Sequence, residues 1–423
     1  MFRLLANNEI KNFNLGFTFF NIGIFLLASA PFISIICILI SSFISAFSKK
    51  EFEINKFNSF QNIILIICCF IFLINSSISF LSDIPSLVGE DKFKILIDLF
   101  NWIPFFIFYF LIKPYLKKST QRGKTSFLLL IGTVPVIFSG LGQYFLGWDE
   151  PMKTLNGNII WFIKPIDQVK GLSGLFSNPN YAASWLSLIW PFSIIFFLKL
   201  QPRDIYKRIT SLLYISLIFI SMILTNSKDT LLGIILPIPI LLKSTFFKNK
   251  SFLLITISTF FIFLSNLIFL LIRNEINFNN ILDIFPRIDI WRVSLIAIFE
   301  KPIFGWGASK FPFIYDKYKY KFINDNIQHS HNLFFEISIN YGLIASILIS
   351  LFIIYLLINS YKKIGDNNYY IDLAWWVATI SFLINQIFDV TYYDLRISMF
   401  FWILIAGLDC IITENKQLNK LKI

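Results

Sequence analysis

Only two histidines occur in the chain, His329 and His331, and one short segment holds both: Gln328-His329-Ser330-His331-Asn332. An imidazole titrates near neutral pH, so a positioned histidine is the natural general base for a hydroxyl. The plain alternative is a pair of surface or interfacial histidines. A His-x-His metal site is a third reading; it needs one or two further ligands, and spacing points to none. Just upstream, the stretch 273–331 holds three arginines, Arg273, Arg287 and Arg292. A guanidinium stays charged and offers a planar fork, which suits a pyrophosphate at a membrane surface. Residues 286–300 read as a helix. Ile288, Trp291, Leu295 and Phe299 fall on one stripe, so this helix is expected to lie along the membrane interface. Arg287 and Arg292 stand about 140° apart around it and do not share a face. Arg292 also has Asp289 at i−3 as an ion-pair partner. Arg287 is therefore the better phosphate candidate, and lipid-headgroup anchoring is the plain reading of either arginine.

Four further features bear on chemistry. Lys228 is the sole cation of the turn Asn226-Ser227-Lys228-Asp229. A membrane protein gains topologically by leaving a lysine out of an outer turn, so this one asks for a role; a surface pair with Asp229 is the alternative. Gly174-Leu175-Phe176-Ser177-Asn178-Pro179-Asn180 is a turn signal, with a helix start at Asn180 that fits capping. Glu336 follows His331 by one to two turns; at membrane depth an acid faces a cavity or a partner, and near the surface it is simply solvated. Gly305-Trp306-Gly307 lets the backbone approach something closely.

The elements that must position these residues are membrane helices. The chain has 423 residues, of which 51 are Phe and 56% are hydrophobic; its mean hydropathy is +0.69. A soluble domain would be about 45–50% apolar. The excess is gathered into runs near the roughly 20 residues a bilayer core requires. The runs do not alternate polar and apolar residues, which excludes a β-barrel. Twelve spans are expected: 15–29, 31–47, 60–81, 95–112, 125–145, 182–199, 209–225, 229–242, 252–272, 332–358, 371–388 and 396–413. Pro31 separates the first two, and Pro237 and Pro239 should kink the eighth. With the N-terminus inside, inner segments carry 22 Lys and Arg against 15 outside, and 8 of those 15 lie in 273–331. Both termini are therefore expected in the cytoplasm. This loop bias also accounts for the net charge of +12, so nucleic acid is not implied. Cys37, Cys68, Cys69 and Cys410 lie in apolar runs, and no disulfide framework follows. The N-terminus lacks a signal-peptide layout. The expected fold is all-α: a single integral membrane domain over 1–423, with two long periplasmic loops, 146–181 and 273–331, the second between helices 9 and 10.

Together these stretches resemble the O-antigen ligase and O-antigen polymerase superfamily of membrane glycosyltransferases. His331-Asn332, nine residues, then Gly342 is similar to the family's His pattern, with Ala345 at its last small position. Arg287-x3-Trp291 followed by Lys301-Pro302-Ile303-Phe304-Gly305-Trp306-Gly307 resembles its Arg-x3-Trp and downstream turn. Residues 174–183 look like its Gly-x-Phe-x-Asn-Pro-Asn lead into a helix. In Leu224-Thr225-Asn226-Ser227-Lys228 the family usually has Arg where this chain has Lys228, which keeps the charge without the fork. The resemblance covers roughly residues 170–350 and the twelve-span layout.

The resemblance implies a bacterial inner-membrane enzyme whose site faces the periplasm. There a glycan linked through pyrophosphate to undecaprenol passes to a hydroxyl on an acceptor, either lipid A–core or a lipid-linked glycan. No cofactor, metal or nucleotide-sugar is implied. His331 is then the base, Arg287 and Lys228 hold the diphosphate, and Arg292 comes third. His329, Asn332, Asn180 and Glu336 are supporting candidates. The long second loop and the His-Asn-x9-Gly spacing lean towards the ligase branch over the polymerase. Two alternatives stay open: a protein O-oligosaccharyltransferase of the same superfamily, and a membrane transporter of the bicarbonate-carrier type. A transporter should carry ionisable residues near the bilayer midplane, and here the spans hold few.

Overall fold

Backbone groups inside hydrocarbon must all be paired within the chain, and a helix pairs them locally. The computed structural model of the protein describes residues 2–47, 59–82, 93–148, 152–154, 159–161, 171–199, 204–235, 237, 240–241, 286–320, 327–365 and 370–420. Its helices are α1 (Phe2–Leu26), α2 (Pro31–Ala46), α3 (Phe60–Leu81), α4 (Lys94–Ile97), α5 (Ile103–Ile112), α6 (Ser119–Gly132), α7 (Val134–Leu146) and α8 (Pro179–Lys199). They continue as α9 (Ile205–Leu224), α10 (Lys228–Ile235), α11 (Pro286–Glu300), α12 (Phe311–Tyr318), α13 (Leu333–Tyr341), α14 (Leu343–Gly365), α15 (Tyr370–Phe388) and α16 (Leu395–Lys420). A short antiparallel ribbon, β1 (Met152–Thr154) and β2 (Ile159–Trp161), lies in the first long loop.

Among the described residues, eight helical segments are long and apolar enough to cross a membrane: Phe60–Leu81, Lys94–Tyr115, Ser119–Leu146, Pro179–Leu198, Ile205–Leu224, Leu343–Ile364, Tyr370–Phe388 and Leu395–Glu414. Phe13–Leu26 and Pro31–Ala46 are shorter apolar helices. Of the expected eighth span, α10 covers Lys228–Ile235. The expected ninth, 252–272, lies outside the described residues, as does Arg273.

Three expected spans are broken. The fourth, 95–112, passes from α4 through a 3-10 turn, Asp98–Asn101, into α5. The fifth divides at Thr133, between α6 and α7. Pro135, in the first turn of α7, has no N–H for the preceding turn, and its ring displaces the carbonyl there. The tenth, expected as one helix over 332–358, is two: α13 ends at Gly342 and the membrane-length helix is α14. Gly342 has φ +90°, a region that other residues rarely adopt, and a Cβ on it would collide with the Ile303 carbonyl. The Lys301–Gly307 turn fills this break. Trp306 N donates to Ile339 O (2.6 Å) and Leu343 N to Pro302 O (2.7 Å). Asn75 on α3 donates to Ile303 O (3.2 Å) and to Tyr341 O. The interrupted helix thus keeps its end groups bonded, and the Gly-x-Gly turn meets the α13–α14 junction.

Residues 397–412 of α16 are buried, and the helix packs against α5, α14 and α15. The α15 helix lies between α16, α8 and α10. At the start of α15, Arg122 is fully buried and bonds Asp372 with two nitrogens (2.7 and 2.8 Å), Glu414 (2.6 Å) and the carbonyls of Leu116 and Lys117. Asp389 stands just past the other end of α15, 17 positions on, or roughly 25 Å away along a helix. The two charged clusters therefore occupy opposite ends of the bundle. Removing Asp372 leaves Arg122 buried with three of its five hydrogen bonds and no carboxylate but Glu414. Asp372→Ala is expected to cost about 3–5 kcal/mol and to lower the thermal midpoint in detergent markedly. Lys207→Ala, at the exposed Asp204 pair, should cost less than about 1 kcal/mol.

Candidate active site

The His329–His331 segment is fastened from beneath by a carboxylate. Ser330, fully buried between the two histidines, donates its N (2.9 Å) and Oγ (2.8 Å) to Glu336 Oε2. Asn340 Nδ2 (3.2 Å) and Tyr393 OH (3.4 Å) donate to Glu336 Oε1. A buried carboxylate is tolerated when its oxygens are bonded in this way, and its place in the first turn of α13 suits the helix dipole. Glu336 is therefore buried against partners, not solvated, and it shapes the loop. Asn332 caps α13, its Oδ1 accepting from Phe335 N (3.1 Å), and its Nδ2 donates to Ile387 O (3.1 Å) in the last turn of α15. At the far end of α13, Tyr341 stacks on Phe72 and donates to Asp98 Oδ2 (2.5 Å).

Between these fixed points His331 has φ +50°, an uncommon conformation for a side-chain-bearing residue, which its surroundings impose. Its Nδ1 lies 2.9 Å from Asp389 Oδ1. Asp389 also accepts from Asn180 Nδ2 at Oδ2 (2.7 Å) and from Val390 N at Oδ1 (2.9 Å). Burial raises the Asp389 carboxyl, but the His331 hydrogen bond, the fields of His331 and His329 and the Asn180 bond outweigh it and bring it down to about 2. A carboxylate's pKa in an unfolded chain is about 3.9, so the ionised group stabilises the fold above that pH and loses the contribution as pH falls towards 2. An ionised carboxylate only accepts, so Nδ1 of His331 donates and Nε2 carries the lone pair. About a quarter of the His331 side chain (26%) remains exposed, against 10% for Asp389. The imidazole can be reached; its partner is covered. The His329 ring lies 4.2 Å from the His331 ring, centroid to centroid. Burial, then the charge of His331, pushes the His329 imidazole below its usual range.

Sequence reasoning missed Asp389. It falls just beyond the expected span 371–388, and an isolated acid at that mouth, on the same side as the histidines, was the available signal. The expected cap at Asn180 is corrected: Asn178 Oδ1 accepts from Asn180 N (2.8 Å) and caps α8. Pro179 takes the first helical position, where its missing N–H is harmless. That frees the Asn180 side chain for Asp389.

The phosphate candidates lie on neighbouring elements. Trp291 on α11 packs against Phe335 (6.4 Å between centroids) and Phe388 (6.2 Å), the residue before Asp389. Arg287 is half-buried one turn earlier on the same side of α11. Ile288, Leu295 and Phe299 are exposed along α11, while Trp291 leaves that stripe to meet α13 and α15. Arg292 is engaged elsewhere: it bonds Asp289 (2.7 and 2.9 Å) and Tyr318 O (2.6 Å) and lies over the Tyr320 ring. These bonds tie α11 to α12. Lys228 is the first residue of α10, and its side chain lies outside the described residues. The turn before it abuts the 171–178 loop, where Leu172 N donates to Leu224 O (2.9 Å).

Residues 182–350 match the family model for O-antigen ligase. The match spans 169 of the 423 residues. The matched stretch supports ligase-type glycan transfer in polysaccharide biosynthesis, and the long apolar helices support a multi-pass membrane protein. No curated protein matches the chain. The O-antigen ligase match includes Lys228, Arg287, Arg292, both histidines, Asn332 and Glu336, while Asn180 and Asp389 lie outside it.

An amide at position 389 can present its own N–H to Nδ1 and reverse the tautomer. Asp389→Asn is expected to lower the turnover of glycan transfer by roughly 10²–10⁴-fold with KM little changed. A KM effect alone would sink an orienting role for Asp389.

Proposed function

We propose that the chain transfers a glycan from an undecaprenyl-pyrophosphate-linked saccharide to an acceptor hydroxyl on the periplasmic face of the bacterial inner membrane. The product is O-antigen, lipopolysaccharide or a related surface polysaccharide. One observation carries this reading. Stretches remote in sequence meet around a single His331–Asp389 pair: Asn180 from α8, Trp291 of α11 against Phe388, and the pinned loop before α13.

His331 Nε2 takes the proton of the acceptor hydroxyl while its oxygen attacks the anomeric carbon. The bond from that carbon to the pyrophosphate breaks, and undecaprenyl pyrophosphate leaves with the electron pair. Charge develops on the leaving oxygens, where fixed cations are worth most. Arg287 and Lys228 supply them, with Arg292 third. The buried Trp291 indole N–H has no hydrogen-bond partner among the described residues, which leaves a donor one turn from Arg287. Asn180, Asn332 and Glu336 position the pair and its loop; His329 flanks it. No metal or cofactor takes part in this step. Twelve crossings with both termini cytoplasmic put the α8, α11 and α13 starts outside. The long second loop favours a ligase, with lipid A–core as acceptor, over a polymerase.

Deleting the gene from its source strain should remove the long-chain ladder on a lipopolysaccharide gel. Wild type should restore it and His331→Ala should not. Bare core then indicates a ligase, and core with one repeat a polymerase. An unchanged ladder after deletion contradicts the O-antigen role.

A further inference from the structure

His329 has no part in the transfer step, yet its ring shares one small volume with His331 and Asp389. The geometry points to a Zn²⁺ site formed by His329, His331 and Asp389, whose occupation blocks the base. One ligand atom from each residue lies within 4.8 Å of the others. A tetrahedral centre with bonds of about 2.0 Å sets its ligands roughly 3.3 Å apart, so the three side chains would draw together on binding. The left-handed backbone at His331 turns the chain so that both imidazoles lie on the Asp389 side. Asp389 is oriented from behind by Asn180 and Val390 N, the outer support that metal-binding carboxylates have. Among the described residues no fourth protein ligand joins this group: Glu336 is occupied by Ser330, Asn340 and Tyr393, so water would complete the coordination. Two imidazoles and one carboxylate select Zn²⁺ and its neighbours over Mg²⁺ or Ca²⁺, which prefer oxygen.

A metal held by His331 and Asp389 replaces the 2.9 Å hydrogen bond between them. It also takes the imidazole from the acceptor hydroxyl. The site itself stands on geometry; the inhibition rests on the transfer reading above.

The full-length protein, purified in detergent through a histidine-free tag and stripped with chelator, is titrated with Zn²⁺ by calorimetry. One equivalent should bind in the micromolar range, at least tenfold more weakly in both His329→Ala and Asp389→Asn, with no heat from Mg²⁺. The two changes lie on separate segments, and each variant's thermal unfolding is compared with wild type to exclude misfolding. Absent binding, or binding unchanged in both variants, overturns the site. Transfer by wild type should then be inhibited by Zn²⁺ and restored by chelator. Binding as expected with transfer unaffected upholds the site and overturns inhibition through His331.

Discussion

A carboxylate in a protein that sits in lipid has few places to find water, so its oxygens must be bonded by the chain itself. Asp389 meets that demand by drawing on three separate segments: Asn180 at the start of α8, His331 before α13, and its own following backbone N–H. The same bonds that make Asp389 tolerable fix the position and tautomer of the imidazole. Satisfying one buried charge and building a base are a single arrangement. A second carboxylate, Glu336, repeats the logic one layer deeper and sets the backbone on which His331 stands.

Rigidity around the site comes from helices that stop. A continuous tenth helix would carry the residues before Gly342 straight on along the axis of α14. The break at Gly342 instead leaves α13 free to be pinned at both ends, by Asn332 on α15 and by Tyr341 on Asp98 and Phe72. Interrupting a helix in a membrane exposes backbone groups, and the Lys301–Gly307 turn answers them directly. The close approach of the two backbones explains why glycines stand on both sides of it: a Cβ at Gly305 or Gly342 would strike the opposite chain. Because α11 leads into that turn, the position of Arg287 and Trp291 is tied to the same junction.

The bundle separates its charges by depth. The Arg122 cluster and the Asp409–Lys113–Tyr109 cluster lock the helices at one end. The His331–Asp389 pair lies at the other. Arg122, Asp372 and Asp409 are buried within the first two clusters, while Lys113 and Glu414 at their edges, like the His331 ring, keep part of their surface open.

Hydropathy determined that the protein is a helical membrane protein, because a run of apolar residues needs no distant partner to be read and lipid allows it few other structures. His331, Arg287 and Asn180 were also visible in the sequence, since each is a polar residue in a short motif at the edge of an apolar run. The expected breadth of the tenth helix was wrong for the same reason: hydropathy runs on through Gly342, while the bend depends on a turn from 40 residues upstream. What only the tertiary structure decided is the company each residue keeps. Asp389 and Asn180 are 209 positions apart, Asn180 could equally have been a cap, and Glu336 could have been a solvated acid. Their roles follow from hydrogen bonds between segments, and those are set by how the helices pack, a property that no local run of residues carries.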